Sequence, residues 1–243
     1  MCARFTLRTR PAVWIAELAE AMAYDDSAGW LLNASKATEA LSDWHPRYNI
    51  APTQGVWAVC TDEPPSVQVR RLRWGLIPAW ADDLSIGQRM INARSETIAS
   101  KPAFRDAFRS RRCVLPADGY LEWTSGPDGK QAHLIERHDQ QPFYLAGLWE
   151  RNRKVTADGE PITSFTVATT TANQATAALH DRMPVLLDAD GAARWVTHRG
   201  GLELLSPAPE DWLTSTPVSR RVNSPRHDDA DCLRPRDDPQ SLF

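Results

Sequence analysis

Cys113-Val114-Leu115-Pro116-Ala117-Asp118-Gly119-Tyr120-Leu121-Glu122-Trp123 is the stretch whose reading decides how this chain folds. Its odd positions Cys113, Leu115, Leu121 and Trp123 form one apolar set, the period of a strand, and Asp118-Gly119 in the middle leaves either one strand or a bent pair. The other face carries Asp118, Tyr120 and Glu122, an arrangement in which Glu122 reads first as an exposed strand carboxylate. Outward from this stretch the same short-strand signal recurs at Val56–Cys60, Val67–Leu72, Ala132–Glu136, Phe143–Trp149 and Ser164–Thr170. The first two flank Asp62-Glu63-Pro64-Pro65 and read as a hairpin. Arg47 to Pro52 reads as extended chain, because a residue before proline is pushed out of the helical region.

Helices are few and short. Pro11 to Ala23 places Trp14, Leu18 and Met22 on one stripe, with Ile15 and Ala19 beside it and a proline in the first turn. Pro102 to Arg109 supports a turn or two with Phe104 and Phe108 facing inward, and Ala189–His198 and Pro209–Leu213 read as short helices. Strands in runs with sparse helices and no βαβ alternation predict an α+β fold: a single domain with a mainly antiparallel, barrel-like β core and short flanking helices. The chain from Pro217 onward mixes five Arg, five Asp and four Pro without periodicity. The expected division is therefore a folded domain over 1–223 and a flexible tail over 224–243.

With 243 residues, 42% hydrophobic and 24% charged, the composition is that of an ordinary globular protein, and the apolar runs are too short to span a membrane. A cytoplasmic location is expected, with Arg4, Arg8 and Arg10 where a signal peptide needs apolar residues. The cysteines at 2, 60, 113 and 232 form no C-x-x-C pair and suggest neither zinc nor a disulfide framework, so no cofactor is expected. The net charge of −3 hides an asymmetry: residues 1–120 carry 15 basic against 13 acidic side chains, and residues 121–243 carry 13 against 18. Between Gln88 and Cys113 seven basic residues face two acidic ones, a pattern that suits either a phosphate track or a solvated helix face.

Four short segments carry candidate chemistry. Cys2 follows the initiator Met1, and removal of Met1 ahead of so small a residue exposes an α-amine and a thiol on adjacent carbons. Such a 1,2-aminothiol condenses with an aldehyde to an imine, and the sulfur then adds to close a thiazolidine; a second cysteine position of no consequence is the plain alternative. In Ile91-Asn92-Ala93-Arg94-Ser95-Glu96-Thr97 an amide and a guanidinium share a face if the segment is extended, while Ser95 also fits a helix N-cap. Glu122, between two large apolar residues, suits general acid/base work if buried. His180-Asp181-Arg182 supplies a proton carrier and an anion holder, or else a structural turn before Pro184.

Taken in order, Met1-Cys2-x-Arg4-Phe5, Arg47-Tyr48-Asn49-x-Ala51-Pro52, Trp74-Gly75-x-x-Pro78-x-Trp80, Asn92-Ala93-Arg94-x-Glu96-Thr97, Asp118-Gly119-Tyr120-x-Glu122-Trp123 and His180-Asp181-Arg182-Met183-Pro184 resemble the SRAP (SOS response-associated peptidase) family from Cys2 to about Val222. That resemblance implies a sensor of abasic sites in single-stranded DNA and at single-strand/double-strand junctions, acting as a monomer through a cross-link from Cys2 to the ring-opened sugar aldehyde. By motif position it implies that Asn92 orients the N-terminus and sugar, Glu122 serves as acid/base, and His180 assists proton transfer. It further implies that Arg4, Asn49, Arg94, Thr169 and Arg182 line the DNA channel, with Trp80 as the stacking wedge and Trp74 in the core. Two positions depart from the family pattern: Ala3 stands where glycine is usual, and Ala81 where bacterial relatives often carry a second aromatic residue. A rival enzyme reading is an N-terminal-nucleophile cysteine peptidase or amidohydrolase using Cys2, Asn92, Glu122 and His180 and acting mainly on its own Met1, and a third is a non-catalytic single-strand-binding module.

Overall fold

The computed structural model describes residues 2–24, 31–39, 41–61, 65–126, 129–157 and 160–236. Through the first half of the chain the elements are β1 (Phe5–Leu7), α1 (Pro11–Ala23), β2 (Leu31–Leu32), α2 (Ala34–Glu39), β3 (Arg47–Ile50), β4 (Gly55–Thr61), β5 (Ser66–Trp74), β6 (Asn92–Arg94), α3 (Arg105–Ser110) and β7 (Arg112–Ala117). There follow β8 (Gly119–Gly126), β9 (Gly129–Arg137), β10 (Phe143–Ala157), β11 (Glu160–Thr171), α4 (Gln174–Ala177), β12 (Arg182–Pro184), β13 (Leu186–Leu187), α5 (Ala189–Val196) and β14 (Leu213–Pro217). The expected α+β fold with a mainly antiparallel core is what forms.

The strands β11, β10, β7, β4 and β5 pair in that order, and β5 returns to pair with β11 in parallel through Ser164↔Arg73 and Phe165↔Trp74, closing a five-stranded barrel. Closure leaves these strands no open edge. A second sheet runs β14-β9-β8-β1-β3. The stretch Cys113–Trp123 is thus the bent pair: β7 belongs to the barrel, β8 to the second sheet, and Asp118 stands at the corner. The Asp118 carboxylate is buried there and accepts from the backbone N–H groups of Arg8 and Thr9, which ties the end of β1 to the bend. Because the first half of β8 is covered on both faces, the expected polar face is buried there as well: Tyr120 is fully enclosed and Glu122 is 5% exposed.

The core forms where the apolar periodicity points. Trp14, Ile15, Leu18 and Met22 of α1 are buried, each stabilising by about 1.5–3 kcal/mol for its apolar side chain. Trp74 is enclosed, with Phe5 edge-on at 5.2 Å and Phe165 stacked at 6.0 Å, so the N-terminal strand is anchored on the barrel interior. Gly75 follows with φ +113°, and a Cβ there would lie 2.6 Å from the Gly87 carbonyl oxygen, which only glycine avoids. The β4–β5 hairpin forms as expected; residues 62–64 of its turn lie outside the described residues.

Two expectations are corrected. Pro209–Leu213 is not a helix: a turn leads into β14, whose Leu213 pairs with Arg137 of β9, and sheet pairing overrides the weak helical pattern. Residues 224–236, expected to belong to a flexible tail, pack back on the domain. Asp228 forms an ion pair with Arg47 and accepts from the N–H groups of Tyr48 at 2.6 Å and Asn49 at 2.8 Å. Residues 237–243 lie outside the described residues. The basic stretch before Cys113 also divides: Arg111 pairs with Glu150 at 2.9 Å and Arg112 lies over the rings of Phe108 and Trp195, while Arg94, Lys101, Arg105 and Arg109 are exposed.

Candidate functional site

Three strand pairings bring the candidate residues together. Antiparallel β1 and β8 align Phe5 with Tyr120, and the Leu121 N–H donates to the Arg4 carbonyl at 3.0 Å, so the chain from Cys2 runs alongside the segment that carries Glu122. Parallel β6 and β11 align Val167 with Asn92, and antiparallel β11 and β12 align Thr171 with Arg182, two residues beyond His180. Asn92 and Arg94 are therefore extended and share a face, with Ala93 buried between them. Ser95 caps no helix: turns occupy 95–104 and α3 begins only at Arg105.

Cys2 is fully buried, and its thiol donates weakly to the Arg4 carbonyl at 3.8 Å. Asn92 Nδ2 donates to the Cys2 carbonyl at 2.8 Å, while Asn92 Oδ1 is buried with no hydrogen-bond partner among the described residues. Burial pushes the Cys2 thiol well above its usual range, and the neighbouring charge of Glu122 pushes in the same direction. Burial also raises the Glu122 carboxyl, opposed first by the charge and hydrogen bond of the N-terminal amine and then by His180, with Asp181 adding to the rise. Tyr120, two residues before Glu122 on the same strand face, is likewise held as a neutral phenol by burial and by the charges of Cys2 and Glu122. His180 Nδ1 lies 2.7 Å from Asp181 Oδ1 and 3.0 Å from the Arg182 backbone N–H. As an acceptor from Arg182 the ring holds its proton on Nε2; with Nδ1 protonated it donates to Asp181 instead. Cys2, Asn92, Glu122 and His180 thus form one cluster, a thiol and two proton carriers with an amide fixing the backbone beside the thiol.

The residues expected along a DNA channel are distributed differently. Asn49 is fully buried: its Nδ2 is within hydrogen-bond reach of the carbonyls of Val222, Ser224 and His227 at 3.0, 3.0 and 2.8 Å, and its Oδ1 accepts from Arg4 at 2.6 Å. Arg4 also donates to Val222 at 3.0 Å and lies 5.6 Å from the Trp123 ring centre. Thr169 is enclosed and reaches the Ala93 carbonyl at 3.4 Å. Arg182 makes a two-bond ion pair with Glu96 at 2.7 and 3.0 Å. By contrast Trp80 is 54% exposed, and Arg94 is exposed with its guanidinium making no hydrogen bond or ion pair among the described residues. Sequence reasoning missed Glu96, Asp118 and Asp228 as organisers of the site. The first two stand inside quoted motifs and were open to notice; Asp228 lies in the stretch that composition marks as tail.

The two departures sit without strain. Among the described residues the non-glycine positions with positive φ are Thr53, Gln140 and His198, so Ala3 keeps a backbone that any L-residue adopts. Ala81 is buried against Ile77 and Ile162 rather than facing solvent beside Trp80.

A barrel with a cysteine at position 2, an asparagine, a buried glutamate and a histidine at one locus defines a class of protein, and comparison with known families agrees. The chain belongs to the SRAP family, whose model, described as SOS response associated peptidase, matches residues 1–225. Among its relatives is the abasic site processing protein YoqW of Bacillus subtilis (strain 168), 36% identical over 197 residues that cover 79% of this chain and 87% of the relative. The abasic site processing protein YedK of Escherichia coli (strain K12) is 30% identical over 199 residues, covering 78% and 84% respectively. HMCES of Gallus gallus, again an abasic site processing protein, is 31% identical over 266 residues, covering 94% and 77%. The fold matches a crystal structure of a Bacteroides thetaiotaomicron protein with TM-score 0.76 at 23% identity, over 97% of this chain and 100% of that one.

Proposed function

We propose that this chain processes abasic sites by forming a covalent link from its N-terminal cysteine to the ring-opened sugar of an abasic site in single-stranded DNA. The observation that carries the reading is the bond from Asn92 Nδ2 to the Cys2 carbonyl beside a buried Glu122. With Met1 removed, the Cys2 α-amine is the group that Asn92 Oδ1, which has no partner among the described residues, suits as an acceptor. The amine adds to the aldehyde and loses water to give an imine. The thiol then adds across the C=N bond: sulfur bonds to carbon, Glu122 takes the thiol proton, and a proton is delivered to nitrogen, closing the thiazolidine with no oxidant or cofactor. His180 exchanges protons with the sugar oxygens as the ring opens.

The raised thiol pKa favours this order, amine first and sulfur second. A cysteine peptidase needs a resting thiolate stabilised by a nearby cation, and burial beside Glu122 disfavours that state here. Trp80 and Arg94 are the exposed members of the set and suit stacking on a neighbouring base and holding a phosphate, neither of which reads sequence. The reading makes the protein a monomer that acts in the cytoplasm and at single-strand/double-strand junctions on damaged DNA, and assigns no role at a membrane. No helix among the described residues is long and apolar enough to cross one.

The test mixes purified protein with single-stranded DNA carrying one uracil, with and without uracil glycosylase, and follows denaturing gels and intact mass. The expected result is a glycosylase-dependent adduct, absent in Cys2→Ala, from protein whose mass lacks Met1. Protein that begins at Cys2 and forms no adduct refutes the reading. Peptide turnover would then favour the peptidase, and unaltered DNA affinity in Cys2→Ala the binding module.

A further inference from the structure

The chain that leaves β6 carries three exposed cations beyond Arg94: Lys101, Arg105 and Arg109. Their side chains make one ion pair among the described residues, Arg105 with the adjacent Asp106 at 3.6 Å, and both partners of that pair are at least half exposed. A pair so open to water contributes little and is readily exchanged for another anion. Glu96 and Glu150, the other carboxylates bonded to this stretch, are held by Arg182 and Arg111.

The three cations fall in a row. The Lys101 N–H bonds back to the Thr97 carbonyl at 2.9 Å and the Arg105 N–H to the Lys101 carbonyl at 2.9 Å, a helical span that carries the turn ahead of α3 into α3 itself. At four-residue spacing Lys101, Arg105 and Arg109 lie one above the other on the outer face, with about 6 Å of axis between successive residues, a ridge about 12 Å long. The inner face holds the ridge still: Phe104 and Ala107 are buried, Phe108 packs edge-on to Trp195 at 5.9 Å, and Arg112 donates to the Phe108 carbonyl at 3.0 Å. The link back to Arg94 is fixed as well, by the Ser95 N–H on the Thr169 carbonyl at 2.8 Å and the Thr97 N–H on the Arg94 carbonyl at 3.0 Å.

A fixed row of cations suits a polyanion whose charges are evenly spaced and stiffly held. Single-stranded DNA also needs exposed rings on which its bases stack, and residues 95–111 expose no aromatic side chain. A duplex keeps its bases inside and presents phosphate alone, about one per 3.4 Å of axis on each strand, so a ridge of this length runs past three or four of them. We propose that Lys101, Arg105 and Arg109 hold the phosphate backbone of the double-stranded flank of a DNA junction, continuing from the single strand at Trp80 and Arg94. The proposal rests on the abasic-site reading given above and names the surface that meets the duplex side of the substrate.

The test is a triple variant, Lys101→Gln, Arg105→Gln and Arg109→Gln, titrated by fluorescence anisotropy at several salt concentrations. One ligand is a single strand carrying the unreactive tetrahydrofuran abasic analogue; the others are the same strand paired with a complement that ends beside the analogue, on either side. The variant should bind at least one junction about ten-fold or more weakly at 0.1 M salt, with a logarithmic salt slope shallower by up to about 2.7, three contacts at about 0.9 each. Its affinity for the single strand should stay within about two-fold, which sets local contact apart from a general change in net charge. Arg105→Lys with Arg109→Lys should keep the junction slope, since a point charge suffices for a phosphate, and an unchanged melting temperature shows that the exposed substitutions leave the fold intact. Equal junction binding by variant and wild type overturns the proposal, and so does a loss of the same size on the single strand. The parent reading is scored apart, by adduct formation on a true abasic site: a wild type beginning at Cys2 that forms no adduct removes that reading, while an active wild type whose junction affinity ignores the three cations removes the ridge alone.

Discussion

Replacing Asn49 with alanine should destabilise the protein and loosen its C-terminal segment without weakening DNA binding by the folded molecules. Asn49 is fully buried, and its amide is the donor that meets the Ser224 and His227 carbonyls while its oxygen accepts from Arg4. The Val222 carbonyl keeps Arg4 as a donor and the Ser224 carbonyl keeps the His227 N–H, so the net loss is about three hydrogen bonds, one of them leaving the His227 carbonyl unmatched. At about 0.5–1.5 kcal/mol per bond, the total is about 3 kcal/mol. For a domain of this size about 2–4 °C of melting temperature goes with each kcal/mol, giving a fall of roughly 6–12 °C. Calorimetry measures that fall, and brief trypsin digestion reports on the segment through the exposed Arg220 and Arg226, which should be cut faster in the variant. Affinity for an abasic-analogue oligonucleotide, measured well below the melting transition, should stay within about two-fold. An unchanged melting temperature and digestion rate combined with lost DNA affinity would refute the reasoning and return Asn49 to the DNA channel.

Three further outcomes are expected. Glu122→Gln should raise the melting temperature at pH 8 while slowing the adduct: a carboxyl raised above its unfolded pKa contributes stability that is present at low pH and lost as pH rises through the folded pKa, so the gain should vanish near pH 4, as paired melts at the two pH values would show. Trp80→Ala should leave the melting temperature unchanged, because the ring is half exposed, yet weaken single-stranded DNA by roughly five- to a hundred-fold, the scale of about 1–3 kcal/mol for one stacked base; fluorescence anisotropy measures it. Cys2→Ser should yield an imine that borohydride traps but no adduct that survives heating without it, because oxygen closes the analogous ring less stably; a heat-stable Cys2→Ser adduct would remove the sulfur step.

What was legible in the sequence was whatever depends on near neighbours. The alternation in Cys113–Trp123 is a local pattern and gave strands; that the strands belong to two sheets depends on Asp118 meeting Thr9, 109 residues away, which no local pattern encodes. The chemistry proposed for Cys2 follows from its position, since a cysteine exposed by removal of Met1 is an aminothiol wherever it folds. The burial of Glu122 does not follow in that way, because it requires β1 to lie along β8. Composition misled at residues 224–236, where Arg and Asp read as solvated chain; Asp228 meets Arg47 and two backbone N–H groups, and charges matched in that way fold as readily as apolar residues do. The same ambiguity explains the channel residues. A guanidinium or an amide can donate to a carbonyl, a carboxylate or a phosphate, so motif position selects the residues and only their neighbours decide which partner each takes. Of the ten residues selected, Trp80 and Arg94 alone are exposed, and the rest hold one another. Most of the residues that motif position selects are therefore, in this chain, paired within the protein, and Trp80 and Arg94 are the two that face solvent.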